Sequence, residues 1–423
     1  MLDAPTARAL QARALQVRGI DPDATATLDT WGRVVATVFT AGWVPGPERR
    51  EFFRDLWRAQ RLTGAFDGDR LVATYRSWDW TLTLPGGSIT TDAVSSVTVL
   101  PTHRRRGART SLITADLGRA RERGGAAAVL VASEATIYER FGFGPATQSA
   151  TWELDLRAAR LRPGVPRPGT LELLSPPELR PIGPAVFEAA RRPGATDRTG
   201  RWWDVACEVT PVPGDPRSPR VAVVHRDPDG VPQGFLVYSW KDDWDERVCR
   251  TVATVHDFQA ATGAAYAALW EFLTGLDLVA VVRAPDRPVD EPLPWLLTDA
   301  RAARRTSTAD LLWTRVLDPV AALSARRYQG PGDVVLAVTD PLGHAAGTVA
   351  LRVDPSGTPL VTRTDAPPDL TLPVDVLSAI WLGGGDLPAA ELAGRLTAHR
   401  PGAVARVTRM FRTERPPWTG TWF

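Results

Sequence analysis

The chain has 423 residues, a length that predicts about three domains and excludes a small disulfide-stapled module. Hydrophobic residues make up 44% of the sequence and charged residues 23%, a balance that excludes bulk disorder. The 50 basic residues include a single lysine, Lys241, and 48 acidic residues balance them, so the net charge of +2 gives no general attraction to nucleic acid or to an anionic membrane.

Cysteine and histidine usage limits the metal sites and the compartment that we expect. Cys207 and Cys249 are too few for a disulfide framework or a thiolate zinc site, which fits a reducing cytoplasm. The five histidines lack the i, i+4 spacing of a metal-binding helix, so we expect no metal. The sequence shows neither a signal-peptide-like run nor a stretch of about 18 apolar residues, so we expect a cytoplasmic protein with no membrane partner.

Up to about residue 156 the apolar pattern predicts strands and helices in alternation. In the helix predicted at 46–60, Phe52, Phe53, Leu56 and Trp57 recur at helical spacing. The other elements predicted here are, in chain order, a helix at 30–39, a strand at 71–80, a hairpin through 85–87, a strand at 93–100, a helix at 108–123 and a strand at 127–133. This order predicts a mixed α/β domain.

Two Pro-rich stretches, at 157–170 and 284–296, interrupt the rest of the chain. The segment between them repeats the α/β order more faintly, with strands predicted at 221–227, 234–240, 250–258 and 278–284 and a helix at 262–275. No basic, glycine-bearing loop stands between the strand ending at Phe258 and that helix. The last segment, from about residue 306, predicts strands and then two helices, and it ends in the aromatic sequence WTGTWF.

The most informative motif is VTVLPTHRRRGARTSLI, at residues 97–113. A predicted strand ends at a proline, a turn of three arginines and a glycine follows, and a helix begins at once. The first N–H groups of a helix have no partner within it and carry partial positive charge, so they suit a phosphate or pyrophosphate. Gly107 permits close approach of the backbone, and Arg105, Arg106 and Arg109 add charge-assisted hydrogen bonds. The alternative interpretation is a basic surface turn.

The context of this turn resembles the GCN5-related N-acetyltransferase (GNAT) family. In that family, an Arg-or-Gln-x-x-Gly-x-Gly-or-Ala loop holds the pyrophosphate of acetyl-CoA. The chain matches this loop at Arg104 and Gly107 and departs from it at Arg109, where the family has a small residue. Together with ASEATIYERFGFGPAT at 132–147 and the aromatic C-terminal residue, the motif resembles one branch, the enhanced intracellular survival proteins of actinobacteria.

This resemblance implies a fold class, a set of domains and an assembly. It implies an α/β (α+β) chain with two tandem GNAT-like domains followed by a sterol-carrier-protein-like domain. We place these domains at 1–156, with the acetyl-CoA site, at 157–305, as a degenerate copy, and at 306–423. The resemblance further implies a homohexamer that transfers acetyl groups to amines.

The resemblance also implies which residues bind the cofactor. Val97, Thr98 and Val99 would offer backbone hydrogen bonds to the pantetheine arm, and Ser133 and Glu134 would border its acetyl end. The residues that would hold the pyrophosphate are Arg105, Arg106, Gly107, Ala108, Arg109 and Thr110.

Two residues are expected to move protons. Tyr138 matches the general acid of the family, and a phenol of pKa about 10 suits a leaving thiolate of pKa about 8.5. In the resembling family the terminal carboxylate, here that of Phe423, accepts the proton of the amine. The alternatives are that Tyr138 merely packs and that the tail is frayed.

The acceptor amine is left open between an aminoglycoside, a polyamine, an arylalkylamine and a lysine. The resembling family places acidic residues in its amine pocket, whereas this chain has Trp422 before its last residue and Ala41 near another such position. Cationic polyamines would therefore bind less strongly. Trp43, Trp57, Trp78 and Trp80 predict either an aromatic pocket or ordinary core packing. The alternative to an enzyme is a non-catalytic protein of this fold that binds CoA or an apolar ligand.

Overall fold

The structure is a computed structural model that describes residues 15–39, 46–214 and 218–423. In these residues the strands form two sheets of seven strands, one of five and a separate pair of two short strands. No helix within these described ranges is long and apolar enough to cross a membrane.

The first part of the chain forms most of the first sheet, with helices on both of its faces. The strand order is β1-β2-β3-β4-β5-β16-β6, and β4 and β5 run parallel while the other neighbours are antiparallel. The elements are β1 (Gln16–Gly19), α1 (Thr25–Val38), α2 (Pro47–Arg58), β2 (Arg61–Asp67), β3 (Arg70–Leu84), β4 (Gly87–Val99), α3 (Ala108–Glu122), β5 (Ala127–Val131), α4 (Ala135–Tyr138) and β6 (Gly144–Pro145).

These bounds confirm the predicted strands and helices of the first segment and extend two of them. Helix α1 begins five residues before the predicted start at residue 30. Its N-cap, Ala24, offers no side-chain hydrogen bond, so the sequence carried no start signal there. Strand β4 also begins earlier than residue 93, because it pairs with β3 directly from the hairpin turn at Gly86, whose φ is +77°.

The middle of the chain forms the second sheet, of the same type as the first. Its strand order is β15-β7-β14-β13-β10-β9-β8, and again a single neighbouring pair, β13 and β14, is parallel. The elements are β7 (Gln148–Asp155), β8 (Thr170–Leu174), α5 (Pro176–Leu179), α6 (Gly183–Ala190), α7 (Gly200–Ala206), β9 (Val221–Arg226), β10 (Pro232–Lys241), β11 (Trp244–Asp245), β12 (Val248–Cys249), β13 (Val252–Ala260), α8 (Gly263–Thr274), β14 (Val281–Pro288), α9 (Leu293–Leu296) and β15 (Ala303–Asp310).

The last part of the chain forms a five-stranded sheet of order β19-β18-β17-β20-β21. One apolar core joins it to the first sheet, since Leu84 and Leu312 belong to the same buried cluster as Leu336 and Trp381. The elements are β16 (Leu312–Val316), α10 (Pro319–Ser324), β17 (Gly332–Thr339), β18 (Gly347–Val353), β19 (Pro359–Arg363), β20 (Leu370–Pro373), α11 (Val374–Trp381), α12 (Leu387–Leu392), β21 (Thr397–Ala398) and α13 (Ala403–Phe411).

Two strands lie in a sheet other than the one that the predicted boundaries suggest. Strand β7 precedes residue 156 but belongs to the second sheet, between β15 and β14. Strand β16 follows residue 305 but completes the first sheet, between β5 and β6. An apolar strand pairs with whichever buried edge the tertiary structure presents, and the sequence pattern does not specify that edge.

The parallel strands of the first sheet separate part of the way along. Strands β4 and β5 pair only from Asp92 to Val94, opposite Ala128 to Leu130. Beyond this point Ser96 has a φ of +51°, and β4 holds an extra residue opposite β3. The backbone of β4 after Ser96 therefore has a partner strand on one side only, and a cleft opens on the other.

Candidate active site

The turn between β4 and α3 adopts the conformation that an anion site requires. Gly107 is the N-cap of α3 with a φ of +81°, and Arg105 has a φ of +63°. No side chain caps the helix, so the N–H groups of its first residues, Ala108 to Thr110, stay available to a ligand. A left-handed arginine carries backbone strain of the kind found at ligand-binding turns.

A cleft of about 450 Å³ lies at this turn, and most of the predicted cofactor residues line it. The lining residues that the sequence predicted are Val99, Arg105, Gly107, Ala108, Arg109, Thr110 and Glu134. His103 and Arg140 also line the cleft without having been singled out, as does Arg104, which the sequence matched to the family loop but did not assign to the cofactor. Arg140 is the third residue of the motif YERFGF, and this motif was the sequence signal that could have identified Arg140 as part of the site. The cleft combines an uncapped helix N-terminus with four arginines, which suits a pyrophosphate.

Four predicted cofactor residues do not line the cleft. Arg106 turns aside and donates from Nη1 to Oδ2 of Asp67 at 2.8 Å. Thr98 is buried, with its Oγ1 at 2.5 Å from Oγ1 of Thr74 on β3. Val97 lies on β4 directly before Thr98, and Ser133 is exposed just beyond β5. The predicted hydrogen bonds from β4 to the pantetheine arm can therefore come only from backbone groups, not from these side chains.

Tyr138 ends α4 and is 6% exposed. Burial raises the pKa of its phenol to about 12, a rise that nearby Arg109 opposes and nearby Glu134 increases. The phenol therefore keeps its proton at neutral pH, as a proton donor must. The Nε atom of Arg109 is buried without a hydrogen-bond partner in the described chain, and burial lowers the pKa of this guanidinium.

The C-terminal residue is packed rather than frayed. The ring of Phe423 lies edge-on to Trp80 and Trp78 of β3, with centroids 4.6 and 5.7 Å away. Residues alternate between the faces of β3, so these tryptophans lie opposite Tyr75, which belongs to the core cluster of Tyr138 beneath α3. The two predicted proton-transfer residues thus approach the first sheet from opposite faces.

The residues before Phe423 are anchored to the second domain. Arg198 donates to the carbonyl oxygen of Gly420 at 3.1 Å and to Oγ1 of Thr421 at 3.2 Å. The indole Nε1 of Trp418 donates to the carbonyl oxygen of Asp286 at 2.8 Å. The indole Nε1 of Trp422 donates to Oδ2 of the same residue at 2.9 Å. These bonds hold the tail on the second domain while its last ring reaches the first.

In the described part of the second domain, the helix start that corresponds to the candidate anion site is capped. The helix that corresponds to α3 is α8, and its N-cap Thr262 accepts from the N–H of Ala265 at 3.2 Å. Beside it, Arg287 and Glu291 form a buried ion pair at 3.0 Å, and Tyr266 donates to the same carboxylate at 2.6 Å. Side chains of the chain itself therefore supply the hydrogen-bond and charge partners at this end of α8. A degenerate second domain was predicted from its missing loop.

A second pocket, of about 290 Å³, lies on the face of the first sheet that α1 and α2 cover. Trp57 lines it and also packs against Trp31, with ring centroids 5.0 Å apart. Trp78 and Trp80 instead contact Phe423, and Trp43 and Ala41 lie outside the described residues. The lining residues are Leu28, Asp29, Gly32, Arg33, Val35, Ala36, Phe39, Arg49, Phe53, Leu56, Trp57, Arg76 and Ser96. We call this space the α1–α2 pocket. The sequence predicted both helices and left an aromatic pocket or core packing open for four tryptophans, of which Trp57 lines this pocket, but it did not single out Arg76.

Comparison with family models divides the chain into three matching regions. Residues 20–146 and 194–317 each match an acetyltransferase (GNAT) domain, and residues 319–420 match a sterol carrier protein domain. The predicted fold class, two GNAT domains followed by a sterol-carrier-protein-like domain, is confirmed. No group of three or more His, Cys, Asp or Glu side chains arranged for a metal ion occurs in the parts that the structure covers.

Relatives of known name extend the match over most of the chain. An uncharacterized N-acetyltransferase of Streptomyces avermitilis is 40% identical over 365 residues, or 85% of this chain and 87% of the relative. N-acetyltransferase Eis of Mycobacterium tuberculosis is 34% identical over 392 residues, or 88% of this chain and 92% of the relative. The crystal structure of Eis1 from Mycobacterium abscessus, 33% identical, superposes with a TM-score of 0.83 over 96% of this chain and all of that one. The chain therefore belongs to the Eis-like N-acetyltransferases of the GNAT family.

Proposed function

We propose that the chain acetylates a primary amine by direct attack of the amine on the thioester of acetyl-CoA, the co-substrate that its family and fold imply. The cleft at the β4–α3 turn would hold the pyrophosphate, through the N–H groups of Ala108 to Thr110 and through Arg105 and Arg109. One observation carries this proposal: the uncapped start of α3 and Arg109, whose buried Nε has no hydrogen-bond partner in the described chain, face one cleft beside the buried, protonated Tyr138.

In the proposed reaction the amine nitrogen forms a bond to the acetyl carbon, and the carbon–sulfur bond breaks. Tyr138 donates its phenolic proton to the leaving thiolate, and the carboxylate of Phe423 accepts a proton from the amine. Arg109 supports the first transfer, because its positive charge lowers the pKa of the phenol and stabilises the phenolate that remains. The packing of Phe423 on Trp78 and Trp80 supports the second, since it removes part of the terminal residue from water.

The acceptor would enter from the α1–α2 pocket and meet the thioester where β4 and β5 separate. Ser96 supports this route, because it lines the pocket and lies directly before the Val97–Val99 backbone that we assign to the pantetheine arm. The resemblance to hexameric relatives also leads us to propose a homohexamer. The free Cys207 and Cys249 agree with the proposed cytoplasmic location.

The test is thiol release from acetyl-CoA with a panel of aminoglycosides, polyamines, arylalkylamines and lysine peptides. Tyr138→Phe and a deletion of Phe423 are expected to lower turnover by about tenfold or more while acetyl-CoA binding, measured by calorimetry, stays unchanged. Tyr238→Phe, a buried tyrosine of the second domain, is the matched control for the lost hydroxyl. Acetyl-CoA binding without turnover on any amine would favour a non-catalytic binding protein, and unchanged turnover in either variant would remove the role assigned to that residue.

A further inference from the structure

Arg76 stands at the floor of the α1–α2 pocket, on the face of β3 that also carries Trp78. Its guanidinium lies over the Trp78 ring at 5.1 Å. Nη1 donates to Oε1 of Gln60 at 3.1 Å, and Nη2 donates to Oγ of Ser95 at 3.3 Å. Both acceptors are neutral, and neither bond is short.

The charge of Arg76 is not matched by a carboxylate. Within the described residues no acidic side chain pairs with it, and its buried Nε has no hydrogen-bond partner. Burial lowers the pKa of the guanidinium to about 10, so it remains charged at neutral pH. Arg76 is half-buried, and a cation that is partly removed from water and has only neutral partners is unfavourable unless another group compensates it.

The arginines that are fully buried in the described part of the chain are compensated. Arg326, which also lacks a carboxylate, donates to three backbone carbonyl oxygens, those of Arg327, Trp381 and Phe411. The remaining cases pair with a carboxylate: Arg198 with Asp257 at 2.6 Å, Arg287 with Glu291 at 3.0 Å and Arg315 with Asp340 at 2.7 Å. Arg76 therefore differs from these arginines, because it has neither a carboxylate partner nor an acceptor for each of its guanidinium nitrogens.

Arg109 shows the same shortage in the cofactor cleft. There the missing acceptor has an assigned identity, because acetyl-CoA brings a pyrophosphate. Arg76 is its counterpart in the α1–α2 pocket, where the acceptor amine is proposed to bind. The described lining of that pocket carries three arginines, Arg33, Arg49 and Arg76, against one acid, Asp29. Its field therefore favours an anion over a second cation.

The remaining lining of the pocket determines the body of the ligand. Phe39, Phe53, Trp57 and Leu28 supply apolar and aromatic surface. A volume of about 290 Å³ is at the lower end of the range of small-molecule sites, which begins at roughly 300 Å³. A ligand with one or two rings fits this space and this surface.

We propose that the acceptor is an amine with an aromatic body and a carboxylate, and that Arg76 binds this carboxylate. This inference rests on the proposed function and names its class of acceptor. Trp78 contacts both Arg76 and Phe423, so the carboxylate site and the terminal residue lie on one face of β3. The same charge disfavours polycationic amines.

The test compares acceptors that differ only in the negative charge. The pairs are para-(aminomethyl)benzoate with para-(aminomethyl)benzamide, and para-(aminomethyl)phenylacetate with its carboxamide. We expect the carboxylates to have the higher kcat/KM by on the order of tenfold to a hundredfold, through KM, since one charge-assisted hydrogen-bonded pair is gained. Equal kcat/KM within each pair, with turnover on both members, would overturn the inference and leave the proposed function intact.

Two variants separate recognition from folding. Arg76→Gln is expected to abolish the preference for the carboxylates over the carboxamides, whereas Arg76→Lys keeps part of the preference. Arg18→Gln is the matched control, because Arg18 also stacks on an aromatic ring, Phe66, and bonds a glutamine but lies outside the pocket. A preference that survives Arg76→Gln would overturn the inference.

A binding measurement makes the inference independent of turnover. Calorimetry is performed with para-methylbenzoate and para-methylbenzamide, neither of which has an amine to acetylate. We expect tighter binding of the benzoate to the wild-type chain and equal binding of both to Arg76→Gln. If no amine is acetylated, the proposed function fails, and a benzoate preference that depends on Arg76 still supports an anion site. Equal binding of the two compounds by the wild-type chain would overturn it.

Discussion

Arg198 is the residue on which the position of the C-terminal tail depends most. Its side chain is 1% exposed and donates to Asp257, to Gly420 and to Thr421. Its guanidinium also lies over three aromatic rings, those of Phe187, Trp202 and Trp203, at 4.3, 4.1 and 5.2 Å. Arg198→Met keeps an apolar stem among these rings and removes every hydrogen bond.

The magnitude follows from the groups that the substitution leaves behind. Removing one partner of a buried ion pair costs about 3–5 kcal/mol of the free energy of unfolding. Asp257 keeps a hydrogen bond from Gln259 at 2.9 Å and is 16% exposed, so we expect the lower end, about 3 kcal/mol. A hydrogen bond from a charged donor to the tail is worth about 1.5–3 kcal/mol, which corresponds to a loss of roughly tenfold or more in turnover.

A double variant separates stability from positioning. Adding Asp257→Asn to Arg198→Met removes the unpaired carboxylate, so about 2 kcal/mol of stability is expected to return. The tail contacts remain absent, so turnover is expected to stay low. Denaturant unfolding reports stability, thiol release with the best amine of the panel reports turnover, and calorimetry is expected to show unchanged acetyl-CoA binding. If turnover returns together with stability, or if Arg198→Met turns over like wild type, Arg198 does not position the tail.

The remaining predictions concern the cofactor turn and a buried acid. In Gly107→Ala the new Cβ would meet open space, but a φ of +81° costs a non-glycine residue about 1 kcal/mol of backbone strain. We therefore expect acetyl-CoA to bind about fivefold more weakly or worse. Unchanged affinity in calorimetry would contradict this prediction. Burial and the neighbouring Asp116 raise the pKa of Asp92 to about 8, while Arg61 opposes the rise. The folded chain then holds a proton that the unfolded chain releases near pH 4, so the free energy of unfolding falls as pH rises from about 4 to 8, with a slope of up to about 1.4 kcal/mol per pH unit. Asp92→Asn is expected to remove this slope, and urea unfolding at several pH values that shows the wild-type slope in the variant would refute the assignment.

Local chemistry explains why the cofactor side of the site was predictable. The strand, the arginine-rich turn, Gly107 and the helix stand consecutively between residues 97 and 113, and the cleft forms from this one segment with Glu134 and Arg140. Backbone conformation and helix N-terminal donors are local properties, which a sequence pattern reports directly. Arg106 is one of the residues that do not line the cleft, because its partner Asp67 is far away along the chain.

The sequence by itself determined the three-part α/β organisation and the strand–turn–helix of the candidate anion site, and it made Tyr138 a candidate, because each depends on residues close together in the chain. Only the tertiary structure placed β7 and β16 in their sheets, anchored the tail through Arg198 and Asp286, and left Arg76 without a carboxylate at the floor of the α1–α2 pocket. The physical reason is that strand pairing and the compensation of a buried charge depend on which distant segments pack together, and an arginine reads the same in the sequence whether or not a carboxylate reaches it.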